Sequence, residues 1–237
     1  MKNKKNGNPD IIEFMSGFSY INLLREETKM PNWCNTSMTI EGQKEEIQSI
    51  HRKIKEWTSR NYVKNDFGKN WLGNIVEGAG FSYKLLDCRG VILFMNEEIT
   101  ACQDEPGNYY FQMQYESAWT DINGTWETIL EKFAPNCEIY YIAEELGNEY
   151  FVTNDRDKKY YDDEIIVLSY LEQTNPLYQK WNAEFDETEY TTRQVLKERL
   201  TKIFGQMSLK RLIKKAETIP QTDNGDEFVC INQVQYV

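Results

Sequence analysis

The sequence predicts an α+β fold: an antiparallel four-stranded sheet with two helices on one face, followed by a C-terminal hairpin and a helical extension. Three observations predict it. Apolar and polar residues alternate over 34–41 and 109–116, the two-residue period of a strand with one wet face. Apolar residues recur at helical spacing over 47–57 and 126–133. Together with two further apolar runs, the segments read strand, helix, strand, strand, helix, strand. That order is the split βαβ arrangement of ferredoxin-like folds.

The first strand lies in MPNWCNTSMTIEG, where Cys34, Thr36, Met38 and Ile40 share a face and Gly42 ends the run. The first helix carries Ile47, Ile50, Ile54 and Trp57 inward, with His51 beside that stripe. Residues 61–88 are rich in Gly and Asn and read as a long connection holding a short helix. GVILFMNEE is a continuous apolar run short enough for a buried strand. In YYFQMQYESAW, Tyr109, Phe111, Met113 and Tyr115 face the core. Asp121 or Asn123 caps the second helix, Trp126, Ile129, Leu130 and Phe133 form its inner stripe, and Pro135 stops it. CEIYYIAEE is the fourth strand.

Beyond the core, EYFVTN and KYYDDEIIVLSYL flank a polar DRDK turn and read as a hairpin. Charge then changes sign along the chain. Residues 142–190 hold thirteen acids and four Lys or Arg, whereas residues 191–219 hold eight Lys or Arg and two Glu. TTRQVLKERLTKIFG reads as a helix with Leu196, Leu200, Ile203 and Phe204 inward and Gly205 as its stop. Ser208 opens a second helix with Leu209, Leu212, Ile213 and Ala216 inward, which crowds Lys210, Arg211, Lys214 and Lys215 on its outer side. An Asp223-Asn224-Gly225 turn and a last strand, EFVCINQVQYV, close the chain.

Composition bounds function. The chain has 237 residues, 14% of them aromatic, enough to bury a core without covalent staples. Its net charge of -11 repels phosphate backbones, so contact with nucleic acid requires a local basic patch. The five cysteines are odd in number and include no C-x-x-C pair, which points to a reducing, cytoplasmic compartment. No apolar run is long enough for a membrane span, and the basic start lacks the cleavage pattern of a signal peptide. One histidine cannot share a zinc site with another imidazole.

No phosphate-loop, dinucleotide or nucleophile-elbow motif is present. Cys34 reads as a small buried hydrophobe rather than a nucleophile, since no base adjoins it. Asp155, Asp157, Asp162 and Asp163 could converge on a cation, but the glycine and glutamate of a calcium loop fall out of register, and a solvated hairpin turn is the expectation. Glu97-Glu98 and Glu144-Glu145 are adjacent pairs that a strand sends to opposite faces. The Tyr109–Tyr115 stripe lacks the basic residues of an RNA-binding sheet and reads as core. No cofactor or metal is expected.

MPNWCN, then Ser117-Ala118-Trp119 before the second helix and Phe133 to Pro135 before the fourth strand, resemble the YubB-like ferredoxin-like proteins of phages, plasmids and other mobile elements. The likeness covers roughly residues 30–155 and departs at TDING and GNEYFVTND, where Pro-rich and Gly-rich segments are usual. It implies a domain at 30–155, an N-terminal extension at 1–29 that adds little to the core, and a C-terminal α+β extension at 156–237. It implies an interaction protein that binds a macromolecular partner, most simply another protein, without catalysis. Two alternatives stand beside it. One is nucleic-acid binding through residues 191–219, with Lys210, Arg211, Lys214 and Lys215 as contacts. The other, resting on the net charge, is acidic mimicry of DNA against a host enzyme.

Overall fold

The computed structural model describes residues 32–145, 150–219 and 227–237. The expected extension at 1–29 and the turn at 223–225 lie outside the described residues. The fold is α+β, with two sheets and six described helices. Strands β1 (Trp33–Gln43), β2 (Gly90–Met95), β3 (Thr100–Ala101), β4 (Asn108–Ala118), β5 (Glu138–Glu145), β6 (Tyr150–Thr153) and β10 (Gln235–Tyr236) form the larger sheet. Their order is β10-β6-β5-β1-β4-β2, with β3 also on β4. Neighbours run antiparallel, except that β10 lies parallel to β6. Helices α1 (Lys44–Ser59), α2 (Leu72–Gly78) and α3 (Asn123–Phe133) supply the side chains buried against it.

Register explains the first core. Met38 sits opposite Met113 of β4 and Tyr141 of β5, so one parity of each strand points to the helices. Met38, Ile40, Phe111, Met113 and Tyr115 there meet Ile47, Ile50, Ile54, Trp126 and Ile129, all essentially inaccessible to water. The helix stripes lie where their periodicity places them. Glu45 and Glu46 in the first turn of α1 also suit its positive end. Trp57 and Phe133 join the two long helices, their ring centroids 5.2 Å apart.

The order of β7 (Ile165–Tyr170), β8 (Thr188–Thr191) and β9 (Phe228–Gln233) in the smaller sheet is β8-β7-β9, antiparallel throughout. Helices α4 (Tyr178–Asn182), α5 (Arg193–Phe204) and α6 (Leu209–Glu217) accompany it. Ile165 and Val167 pack with Trp181, Leu196, Leu200 and Leu212 on one face of β7. Ile166 turns the other way, against Phe151 and Val234, where the two sheets meet. Both faces of β7 are therefore covered, which is why IIVLSY is apolar without alternation.

Four expectations need correction. EYFVTN and KYYDDEIIVLSYL do not form a hairpin: β6 joins β5 in the larger sheet, and β7 belongs to the smaller one. The physical reason is Asp155. It is not in a solvated turn but only 1% exposed. Its carboxylate accepts the backbone N–H groups of Lys159, Tyr160 and Tyr161 at 2.9, 2.7 and 2.9 Å, folding 154–164 into a strap rather than a DRDK hairpin turn. Second, GVILFM is an edge strand rather than a buried one. A bulge between Ile92 and Phe94 leaves Leu93 and Phe94 55% and 52% exposed. Third, EFVCINQVQYV divides at Val234 between β9 and β10 instead of running as one strand. Fourth, Asn123 does not cap α3; its side chain is buried and accepts the Tyr115 hydroxyl at 2.8 Å, while Asp121 takes the Asn123 N–H.

Candidate functional site

The two outer helices of the smaller unit, α5 and α6, pack on each other across the short 205–208 connection. Thr192 caps α5 by accepting the Val195 N–H, and Gly205, at φ 84°, ends it in a conformation that disfavours any other residue. Ser208 then opens α6, which packs on α5 and β9 through Leu212 and Ala216. Lys210, Arg211, Lys214 and Lys215 are all exposed. At 100° per residue they occupy an arc of about 140° on one side of α6. Among the described residues, none of the four has an ion-pair partner. Lys215 instead lies over the Phe204 ring, at 5.1 Å from its centroid.

The neighbouring helix differs in part. Arg199 of α5 is bound to Glu189 at 2.7 Å and to the Glu184 carbonyl at 2.9 Å, and Lys202 pairs with Glu184 at 2.8 Å. Arg199 and Lys202 thus answer the acidic segment, whereas Arg193 and Lys197 of α5 are exposed without an ion pair among the described residues, as are the four cations of α6.

A second feature lies on the face of the larger sheet turned away from the helices. The 154–164 strap covers one end of that face. The Tyr160 hydroxyl donates to Glu41 at 2.8 Å, Lys159 bridges Glu41 and Glu105 at 2.7 and 2.6 Å, and the hydroxyls of Tyr161 and Thr39 share a hydrogen bond of 3.0 Å. The Tyr160 ring stands between Tyr110 and Tyr140, each 5.2 Å away. Glu41 is 2% exposed. Burial opposes its charge, but Lys159, Tyr160 and Asn108 overcome that and hold its carboxyl below the usual range.

The other end stays open as a cavity of about 380 Å³. Asn35 and Ser37 of β1, Gln114 of β4 and Glu144 of β5 form its floor, and Asp163 and Tyr190 close the side. Tyr190 donates to Glu144 Oε1 at 2.6 Å. Glu144 Oε2 is out of reach of water and has no hydrogen-bond partner among the described residues. Burial pushes the Glu144 carboxyl above the usual range, the Tyr190 hydrogen bond opposes that, and Asp163 adds to it. Asp163 is likewise raised, by burial first and then by Asp162 and Glu189.

The remaining candidates are structural. Cys34 is fully buried and its thiol is pushed up to about 12, chiefly by burial, so it is no nucleophile at neutral pH. His51 is held by the Asn96 carbonyl at 2.8 Å and packs 4.9 Å from the Phe111 ring. The aspartates do not converge: both Asp155 oxygens are spent on backbone N–H groups, and no cluster of three or more metal-ligating residues exists among the described residues. Phe111, Met113 and Tyr115 are core, as the alternation implies. Ser117 and Ala118 are the last residues of β4, paired with Cys34 and Trp33, and Trp119 follows the strand end. Ser117 is buried against the Thr120 carbonyl, and Gly90 lies so close that a Cβ there would meet the Glu116 carbonyl at 2.3 Å.

The cavity escaped sequence reasoning because its walls come from residues 35 to 190, from both sheets and the strap. The one readable signal was the parity of Glu144 against Glu145: Glu144 lines the cavity, whereas Ala143, its neighbour on the other parity, belongs to the first core. Comparison with known proteins found no matching family model, no matching curated protein and no matching solved structure.

Proposed function

We propose that this chain is a binding protein rather than an enzyme, and that α6 is the face it presents to a macromolecular partner, a nucleic acid. The observation that carries the reading is the concentration of exposed cations without ion pairs on one side of α6. Lys210, Arg211, Lys214 and Lys215 are exposed and without ion pairs among the described residues, whereas Arg199 and Lys202 next to them are paired. In a chain of net charge -11, four such cations on one helix form the local patch that phosphate contact requires. A second helix following a Gly-containing turn is also how helix-turn-helix proteins present their contacts.

The reading places a ferredoxin-like domain beside this helical pair. The antiparallel order β5-β1-β4-β2, with α1 and α3 packed into one core against it, supports that assignment. The MPNWCN and Ser117-Ala118-Trp119 resemblance supports a mobile-element setting. No disulfide joins any two of the five cysteines, which supports the cytoplasmic reading. No described helix is long and apolar enough to cross a membrane.

The test is retention of the full chain on labelled duplex DNA and single-stranded RNA across a salt series. Binding should weaken steeply with salt, with a slope that falls by about one for each cation replaced by alanine. Absence of retention at low salt, or unchanged binding by a variant with all four replaced by glutamate, overturns the nucleic-acid assignment. Recovery of a stoichiometric protein partner in its place would return the reading to a protein-binding role.

A further inference from the structure

We propose that the cavity between the larger sheet and β8 is a binding site for a small organic cation, a primary ammonium or guanidinium carried on a short aliphatic or aromatic body. The site is distinct from α6 and owes nothing to nucleic-acid binding.

Four observations lead to this class of ligand. First, the cavity, about 380 Å³, lies at the lower end of the range for small-molecule sites. It holds a ligand of modest size and no folded element. Second, its ionisable walls are one-signed. Glu144 and Asp163 line it together with Tyr161 and Tyr190, and no Lys, Arg or His does. An anion would meet two carboxyl groups without a countercharge, whereas a cation supplies the charge that the site lacks.

Third, Glu144 is half satisfied. Tyr190 fixes Oε1, and Oε2 faces no partner among the described residues while shut off from water. A buried acceptor left unmade costs about 1–3 kcal/mol. Oε2 comes within reach of a ligand once the carboxyl turns about its Cγ–Cδ bond, and an N–H donor then removes that deficit, which favours an ammonium with hydrogens or a guanidinium over a quaternary amine. Fourth, the rest of the lining suits a body attached to such a head. Leu93, Ile142 and Phe151 offer apolar surface, the Tyr161 and Tyr190 rings provide faces that attract cations, and Asn35, Ser37 and Gln114 supply secondary polar contacts.

Leu93 and Tyr190 are 55% and 41% exposed, so they form a rim rather than a lid, and a ligand enters without unfolding the strap. The same cation could belong to a free amine or to a lysine side chain of a partner segment.

The experiment is calorimetric titration of the full chain with agmatine, cadaverine and tyramine, beside the neutral isostere 4-hydroxyphenethyl alcohol and the anion glutarate. At least one amine should bind saturably and the neutral and anionic probes should not. A lysine-containing decapeptide forms a second arm, and tighter binding by it than by every free amine assigns the cation to a partner side chain. Glu144→Gln should weaken amine binding about tenfold to a hundredfold, the loss of one charge-assisted contact. Asp163→Asn should weaken it less. Both variants remove a buried charge, so both should fold, which thermal unfolding checks. Failure of every cationic probe at millimolar concentration, equal binding by tyramine and its neutral isostere, or undiminished binding by a folded Glu144→Gln protein each overturns the proposal.

Discussion

Replacing Asp155 with alanine removes the acceptor for three backbone N–H groups at once, those of Lys159, Tyr160 and Tyr161. The contacts are 2.7–2.9 Å long, in the range of charge-assisted hydrogen bonds. Each such bond contributes about 1.5–3 kcal/mol, a gross loss of roughly 4–9 kcal/mol. The strap runs along the surface, so part of this returns as hydration once it loosens. A net loss of about 3–5 kcal/mol follows, against a typical stability of 5–15 kcal/mol. For a chain of this size the midpoint of thermal unfolding should drop by about 6–20 °C. Asp155→Asn keeps one acceptor and should lose about half as much. The strap also carries Tyr161 and Asp163, two walls of the cavity, so the variant should admit protease within 154–164 before global unfolding. The assay is denaturant unfolding followed by tryptophan fluorescence, with limited proteolysis alongside. A net loss below about 1 kcal/mol for Asp155→Ala would refute the reasoning and show that the strap is held by its tyrosines alone. Calcium and chelator should both leave the parent midpoint unchanged, because both Asp155 oxygens are already engaged.

Glu41 gives a pH dependence of known sign. Its carboxyl lies below the ordinary 4.5 in the folded state, so its contribution is complete above that pH and is lost as pH falls through the folded value. Glu41→Gln should therefore flatten the acid limb of the stability curve below about pH 4.5 and lower stability at neutral pH; an unchanged limb would contradict the pairing with Lys159. Cys34 should resist alkylation in the folded protein at pH 8, while the partly exposed Cys102 and Cys230 react first. Mass mapping of labelled peptides checks this, and native labelling of Cys34 at the rate of Cys102 would contradict its burial. Ser169→Ala removes the acceptor of the buried Trp181 indole, 2.8 Å away, and should cost about 1–3 kcal/mol in denaturant unfolding. A loss under about 0.5 kcal/mol would place water at the indole.

What was legible in the sequence was what depends on local period. The alternation from Cys34 to Ile40 and the stripes at Ile47, Ile50, Ile54 and at Trp126, Ile129, Leu130 lie where they were read, because side-chain parity follows from backbone geometry alone. The inward set of α5 and α6, and hence the outward set Lys210, Arg211, Lys214 and Lys215, followed by the same rule. What was not legible depends on partners distant in sequence. An apolar run such as GVILFM is compatible with a covered or an edge strand, and the bulge that decides between them is a matter of pairing with β4. Aspartates in a polar stretch look solvated until backbone N–H groups four to six residues on close around Asp155. Glu144 gains its meaning from Tyr190, forty-six residues away.

The two proposed sites are consistent with each other through the way the chain divides its charge. Four cations without ion pairs among the described residues sit on α6, and the strap and the sheet face behind it collect Glu41, Glu144 and Asp163. A uniform charge of the same total would repel phosphate from every direction. Divided in this way, the field favours one approach of a polyanion, with α6 leading, and screening by salt reaches exposed α6 more readily than the half-buried acids of the cavity. The two activities should therefore separate by ionic strength. Polyanion binding fades steeply between low and physiological salt, whereas cation binding at Glu144, held in a half-enclosed site of lower dielectric, weakens only slightly over the same range. A parallel loss of both would show that the cavity is as open to screening as the helix, and that Glu144 is a surface carboxylate rather than the head of a pocket.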